Sequence, residues 1–268
     1  MFKAIFGTEA VHLCIAGQYM NIGSVYLHLS KHQLALDHMT IALNMAEELY
    51  GKDSLNIALA DFYFNVGAMY AEQDQYVMAL VYYSIVLGTQ KVLNDKSDAS
   101  LAPVYNNIGN AYLGLRKYRE ALEYLEKALA LNKETFGLNS HHPEIASSYL
   151  NIAVAYNEQG NFELALANAH KSLTLYKKCY GDATNHPNLA TVYYEVATLC
   201  QRQAKYKDAL KSALKSLDIR RVIYCAQNPK TADSYVLIGD IYTCTGEYTL
   251  ALQNIHDGLK MWIAIFDT

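Results

Sequence analysis

The sequence predicts an all-α solenoid of six helical hairpins, and three observations predict it. A small residue is followed twelve positions later by alanine six times, at Gly23/Ala35, Gly67/Ala79, Gly109/Ala121, Ala153/Ala165, Ala197/Ala209 and Gly239/Ala251. Successive pairs are offset by 44, 42, 44, 44 and 42 residues, a fixed period of the size that marks stacked helical repeats. Around each pair, apolar and small residues recur at three- and four-residue steps, which describes one helix face. A composition of 52% hydrophobic and 18% charged residues excludes a disordered chain, and the four prolines fall at or near helix starts or in turns.

The period places the units at approximately 9–51, 52–95, 96–137, 138–181, 182–225 and 226–268 in a single array over 1–268. Residues 1–8 read as the tail of a preceding helix, because Phe6-Gly7 falls 44 residues before Tyr50-Gly51. The third unit shows the pattern within each hairpin. Its first helix carries Tyr105, Ile108, Gly109 and Tyr112; Arg116 and Lys117 mark a turn; its second helix carries Tyr118, Ala121, Leu125 and Ala128. The small pair is expected where the two helices cross closely, with one aromatic column (His32, Tyr76, Tyr118, Phe162, Tyr206, Tyr248) filling the gap beside it. A second column holds Tyr26, Tyr70, Tyr112, Tyr156 and Tyr242, with Cys200 in the fifth unit.

Tyr105-x2-Ile108-Gly109-x2-Tyr112, followed by Ala121, Leu125 and Ala128, resembles the tetratricopeptide repeat. The resemblance covers six units and implies a right-handed α-α superhelix whose first helices line a concave groove. The standard unit has about 34 residues, whereas these have 42 to 44. The junctions Phe136-Gly137-x4-His142-Pro143 and Tyr180-Gly181-x4-His186-Pro187 carry part of the extension and look like the kinesin light chain and nephrocystin branch. Asn228-Pro229 departs from that junction by lacking the histidine, and Asn94-Asp95 by lacking the glycine.

The resemblance makes the groove the expected site, for an extended peptide or a helix of a protein partner. Asn21, Asn65, Asn107 and Asn151 form one column of first-helix amides, able to donate to and accept from a partner's backbone. Asparagine is a poor helix former, so its recurrence there asks for a reason; common descent of the units and bracing of the adjacent unit are the plainer ones. Glu195 and Leu237 end the column. Phe64, Tyr194, Asn110, Glu72, Glu158 and Arg202 are the neighbouring positions expected to set preference, and the two glutamates favour a neutral or basic segment.

No Gly-rich phosphate loop, nucleophile elbow or paired-cysteine motif occurs, so neither catalytic residues nor a cofactor nor a metal is expected. A net charge of −4 without a basic run gives no nucleic-acid footprint. The five scattered cysteines fit a reducing compartment, and the apolar run Met78–Leu87 is about half a membrane span, so a cytoplasmic protein is expected. The expected function is that of a non-catalytic adaptor. The alternative is a regulatory or targeting segment of a larger enzyme or signalling protein. Trp262, Ile263, Ile265 and Phe266 in the final helix point to self-association.

Overall fold

A computed structural model describes the chain except residues 1, 30, 53, 94–98, 182–184, 225–227 and 267–268, with backbone alone for 2–11, 28 and 266. Phe6, His28, Asn94-Asp95 and Phe266 lie outside its described side chains. Among the described residues there are twelve α-helices and no strand. They are α1 (Phe2–His28), α2 (His32–Tyr50), α3 (Ile57–Glu72), α4 (Tyr76–Leu93), α5 (Leu101–Gly114) and α6 (Tyr118–Phe136), followed by α7 (Pro143–Glu158), α8 (Phe162–Tyr180), α9 (Pro187–Arg202), α10 (Tyr206–Ile223), α11 (Pro229–Thr245) and α12 (Tyr248–Phe266). Two compact units result, Met1–Leu131 and Asn132–Thr268. Residues 2–8 do not form the tail of a separate helix: they continue into α1, because Gly7 is tolerated within a helix where no chain reversal follows it.

Each odd-numbered helix packs on the even-numbered one after it, and the crossing is set by the small/alanine pairs. Ala35, Ala79, Ala121, Ala165 and Ala209 are fully buried. A β-carbon added at Gly23, Gly67, Gly109 or Gly239 would lie 2.5 to 2.8 Å from a side-chain atom of Met39, Tyr83, Leu125 or Ile255 respectively. Each of these four side chains stands sixteen residues after its glycine. Ala153 and Ala197, in place of glycine, have Ala169 and Ala213 at the same remove. Volume is therefore exchanged across the crossing: glycine faces a large side chain, alanine faces alanine.

The second aromatic column packs as expected. Tyr70 stacks on Tyr82 and Tyr112 on Tyr124, with centroids 5.5 and 5.6 Å apart. The first column, which opens the second helices, is not uniform. Phe162 and Tyr206 pack on the core that holds Ala153, Ala165, Ala197 and Ala209, whereas the Tyr76 ring lies against Gly114 of α5 and Tyr248 is 66% exposed.

The long junctions have a mechanical reading. Gly137 and Gly181 take φ of +95° and +87°, a left-handed turn that side chains resist, and so end α6 and α8. Five residues later His142 and His186 cap the next helix, each Nδ1 accepting from the backbone N–H two residues on, with proline in the first turn. Their rings stack on Phe136 and Tyr180 at 3.5 and 3.6 Å. Asn56 and Asn228 cap α3 and α11 in the same way, so the junction lacking histidine keeps its function.

Buried polar residues tie neighbouring hairpins in the second unit. Asn132 donates to the Ser148 hydroxyl at 2.9 Å, and Arg220 donates to the Ser234 hydroxyl at 2.8 Å and to the Lys230 carbonyl. In the first unit, α4 is long and apolar enough to cross a membrane, with a mean hydropathy of 1.3, which the run Met78–Leu87 alone does not suggest. It nevertheless contributes Ala79, Tyr83 and Val86 to the hairpin core.

The crossing rule is testable by a double-mutant cycle. Gly109→Ala should destabilise by about 1–3 kcal/mol through overpacking, and Leu125→Ala by about 2–5 kcal/mol through cavity formation. The double variant should lose less than the sum of the two, read from urea or thermal unfolding. Strict additivity would contradict the exchange.

Candidate functional site

In the first unit the face of α3 and α5 carries a cleft of about 380 Å³ lined by Glu72, Asp74, Tyr76, Tyr83, Asn107 and Asn110 among others. Its construction follows from the crossing. Gly67 leaves room for the Tyr83 ring, which is 1% exposed, and the Tyr83 hydroxyl shares a hydrogen bond with the Asn107 side chain. Burial pushes the Tyr83 phenol pKa well up. Phe64 is half-buried with its ring centroid 5.8 Å from that of Tyr83, so it packs on the core from this face. Asn110 and Glu72 are exposed at the rim.

The other two asparagines of this unit are placed differently. Asn21 is exposed on α1, and Asn65 is exposed with its amide donating to the Asp61 carbonyl of its own helix at 2.8 Å. Of these three, Asn107 lines the α3/α5 cleft, and it also braces α4.

In the second unit the first-helix face gathers Asn151, Tyr194 and Glu195, all half-buried, with Glu158 exposed at the end of α7. Arg220 of α10 reaches this face from the second-helix layer. Its guanidinium lies 4.6 Å from the Tyr194 ring centroid and is itself 5% exposed. Burial raises the Glu195 carboxyl above its usual range, Arg220 opposing the shift and Glu158 adding to it. Burial likewise raises Asp233 and Asp240 on α11, with Arg220 opposing the rise at Asp233. Arg202 is exposed at the end of α9, its guanidinium 5.7 Å from the Phe162 ring centroid, lining an opening of about 920 Å³ at the hairpin turns. It influences Glu195 only through its charge.

Sequence reasoning named the first-helix residues and did not name Arg220, which packs on Tyr194 among them. The available signal was its column: Gln90 and Asn132 precede it at the same buried position, so polar residues recur there against expectation. Among the described residues no group of three His, Cys, Asp or Glu side chains could hold a metal.

A pH test follows for Glu195. Its folded pKa is raised, so the charged form destabilises the fold at neutral pH, and protonation removes that penalty as pH falls through the raised value. Glu195→Gln should therefore unfold at a higher temperature than the parent at pH 7. The gain should shrink on acidification toward the ordinary glutamate range. A Gln variant less stable than the parent at pH 7 would show that Arg220 outweighs burial.

Comparison with known proteins is consistent with this architecture. Two sequence profiles described as tetratricopeptide repeat match residues 102–144 and, in overlapping segments, 144–221 and 188–262, together well over half of the chain. A search of the curated proteins finds no match. Among solved structures, BtubC (BKLC) from P. vanneervenii superposes with a TM-score of 0.71 at 18% identity, covering 87% of this chain and 91% of that one. A Podosopora anserina kinesin light chain protein with nearly identical TPR-like repeats gives 0.61 at 19% identity, covering 76% of this chain and 94% of its own. A Rap protein complexed with Competence and Sporulation Factor gives 0.68 at 15% identity, covering 93% and 70%. Six hairpins, their small-residue crossings and these matches make one conclusion: the chain belongs to the tetratricopeptide-repeat family and its fold resembles that of kinesin light chain.

Proposed function

We propose that the chain is a non-catalytic interaction scaffold whose first-helix faces take an extended or helical segment of a partner protein bearing lysine or arginine. The observation that carries this reading is the cleft on α3 and α5. It offers the Glu72 and Asp74 carboxylates beside the Asn107 and Asn110 amides, over a floor made by Tyr83. A cationic side chain would find charge there, and the adjacent backbone would find amide donors and acceptors. The second unit supports the same preference through Glu158, Glu195, Asp233 and Asp240, where a partner's cation would relieve carboxylates that burial holds at a cost. The Rap protein of the same fold, bound to Competence and Sporulation Factor, is consistent with this reading.

An array of immobilised Lys- and Arg-containing peptides tests it. Glu72→Gln with Asn110→Ala alters two exposed rim residues and should leave melting unchanged while weakening the best binders at least about tenfold. Equal capture by parent and variant would remove the reading.

One feature favours self-association as a second property. Leu252, Ile255, Leu259 and Ile263 are exposed at helical steps along α12. Light scattering should then show a parent larger than monomeric and a Leu252→Glu/Leu259→Glu variant that is monomeric; identical masses would exclude it.

A further inference from the structure

The second unit carries another surface, opposite in charge and lined by other residues of α6 to α10. A tyrosine column, Tyr19, Tyr63, Tyr105, Tyr149, Tyr193 and Tyr235, runs through the first helices. In the first unit each ring is covered by an aromatic ring nineteen residues later: His38, Tyr82 and Tyr124, all with centroids 6.0 Å away. In the second unit the covering positions hold Asn168, Ser212 and Asn254. Lysines stand over the first two of these rings instead. The ammonium groups of Lys133 and Lys171 lie 5.1 and 5.4 Å from the Tyr149 centroid, and that of Lys177 lies 5.8 Å from Tyr193.

Two clefts result, of about 480 and 560 Å³, and His170 lines both. The second is open because, among the described residues, α8 and α10 both touch α9 but not each other. The first cleft adds His141 to Lys133 and Lys171; the second adds Lys205, Lys211 and Lys215 to Lys177, against one lining carboxylate, Asp208. The fold does not require lysine here. In the register of Lys171 and Lys215 the first two hairpins have Ile41 and Ile85 and the third has Lys127, and in that of Lys211 the first three have Asp37, Val81 and Glu123. Lys133 and Lys171 share one ring and so stand within about a Debye length of each other, a repulsion that a bound anion would remove.

We infer that these clefts are a second docking site, taking an acidic protein segment in which carboxylates alternate with apolar side chains. The walls supply ammonium groups in a chain whose net charge is −4. The floors supply Ile145 and Leu175 in one cleft and Leu166, Leu173 and Val196 in the other. A phosphate backbone would use the walls and leave those floors wet. A membrane surface could not enter clefts recessed between helices. A peptide with both chemistries satisfies walls and floors together.

The test uses the full chain and a fluorescent peptide rich in Glu and Leu, with its Gln/Leu counterpart, a single-stranded oligonucleotide and phosphatidylserine vesicles as competing probes. The Glu/Leu peptide should bind at low salt and weaken as salt rises. Lys133→Gln/Lys171→Gln/Lys211→Gln/Lys215→Gln should weaken it at least about tenfold, with melting unchanged and capture of basic peptides on the first-helix face intact. That last readout separates this site from the acidic one, since either can fail alone. Equal binding of the Gln/Leu peptide, an unaffected quadruple variant, or tighter binding of the oligonucleotide or vesicles would each overturn the proposal. Asn168→Tyr, which restores the aromatic cover, should block the first cleft; undiminished binding by this variant together with Ser212→Tyr would also count against it.

Discussion

Close approach of two helices at a single point governs what every hairpin can do. Because the chain backbones nearly touch at the small/alanine pair, the side chain sixteen residues after the small one must fit the volume left over. Met39, Leu125 and Ile255 fill it with apolar atoms, and Ala169 and Ala213 fill it by leaving little to fill. Only Tyr83 is both large enough to occupy the space and polar at its tip. Its hydroxyl emerges at the first-helix face, so the geometry of one crossing creates the floor of the α3/α5 cleft.

The period, the crossings and the helical content were legible in the sequence because packing at a close crossing tolerates few residue types. Gly67 and Ala79 announce themselves by size alone. The column beginning at Tyr76 was harder to place, since an aromatic at a helix start can turn inward or lean on the next hairpin, and only the space beside Gly114 decides it. The junction histidines likewise show their spacing but not their work. His142 caps α7 and stacks on Phe136 at once, a pairing that depends on the left-handed turn at Gly137 bringing the rings face to face.

The binding faces were less legible. Column position put Asn65 and Asn107 in one class, yet Asn65 spends a donor on its own helix while Asn107 meets a neighbour's hydroxyl. A residue's partner depends on what the other helix offers, and that varies along the array. Arg220 shows the same limit from the other side: it belongs by register to the inter-hairpin layer, but its length carries charge onto Tyr194 and beside Glu195. Where the second unit gives up aromatic cover at Asn168 and Ser212, the lysines that replace it give that unit a basic surface along α6 to α10.

The bond between Tyr83 and Asn107 would couple anything bound in the cleft to the hairpin core beneath it. A segment that draws the Asn107 amide away leaves a phenol, 1% exposed, without its partner inside the hairpin core. An orphaned buried hydroxyl costs on the order of 1–3 kcal/mol. A segment that gives Tyr83 a substitute partner avoids that cost, and one that merely fills space does not. Under the proposed function, discrimination at this face would be enforced from beneath, by the interior of the hairpin, and occupancy there would change the cohesion of α3 with α4.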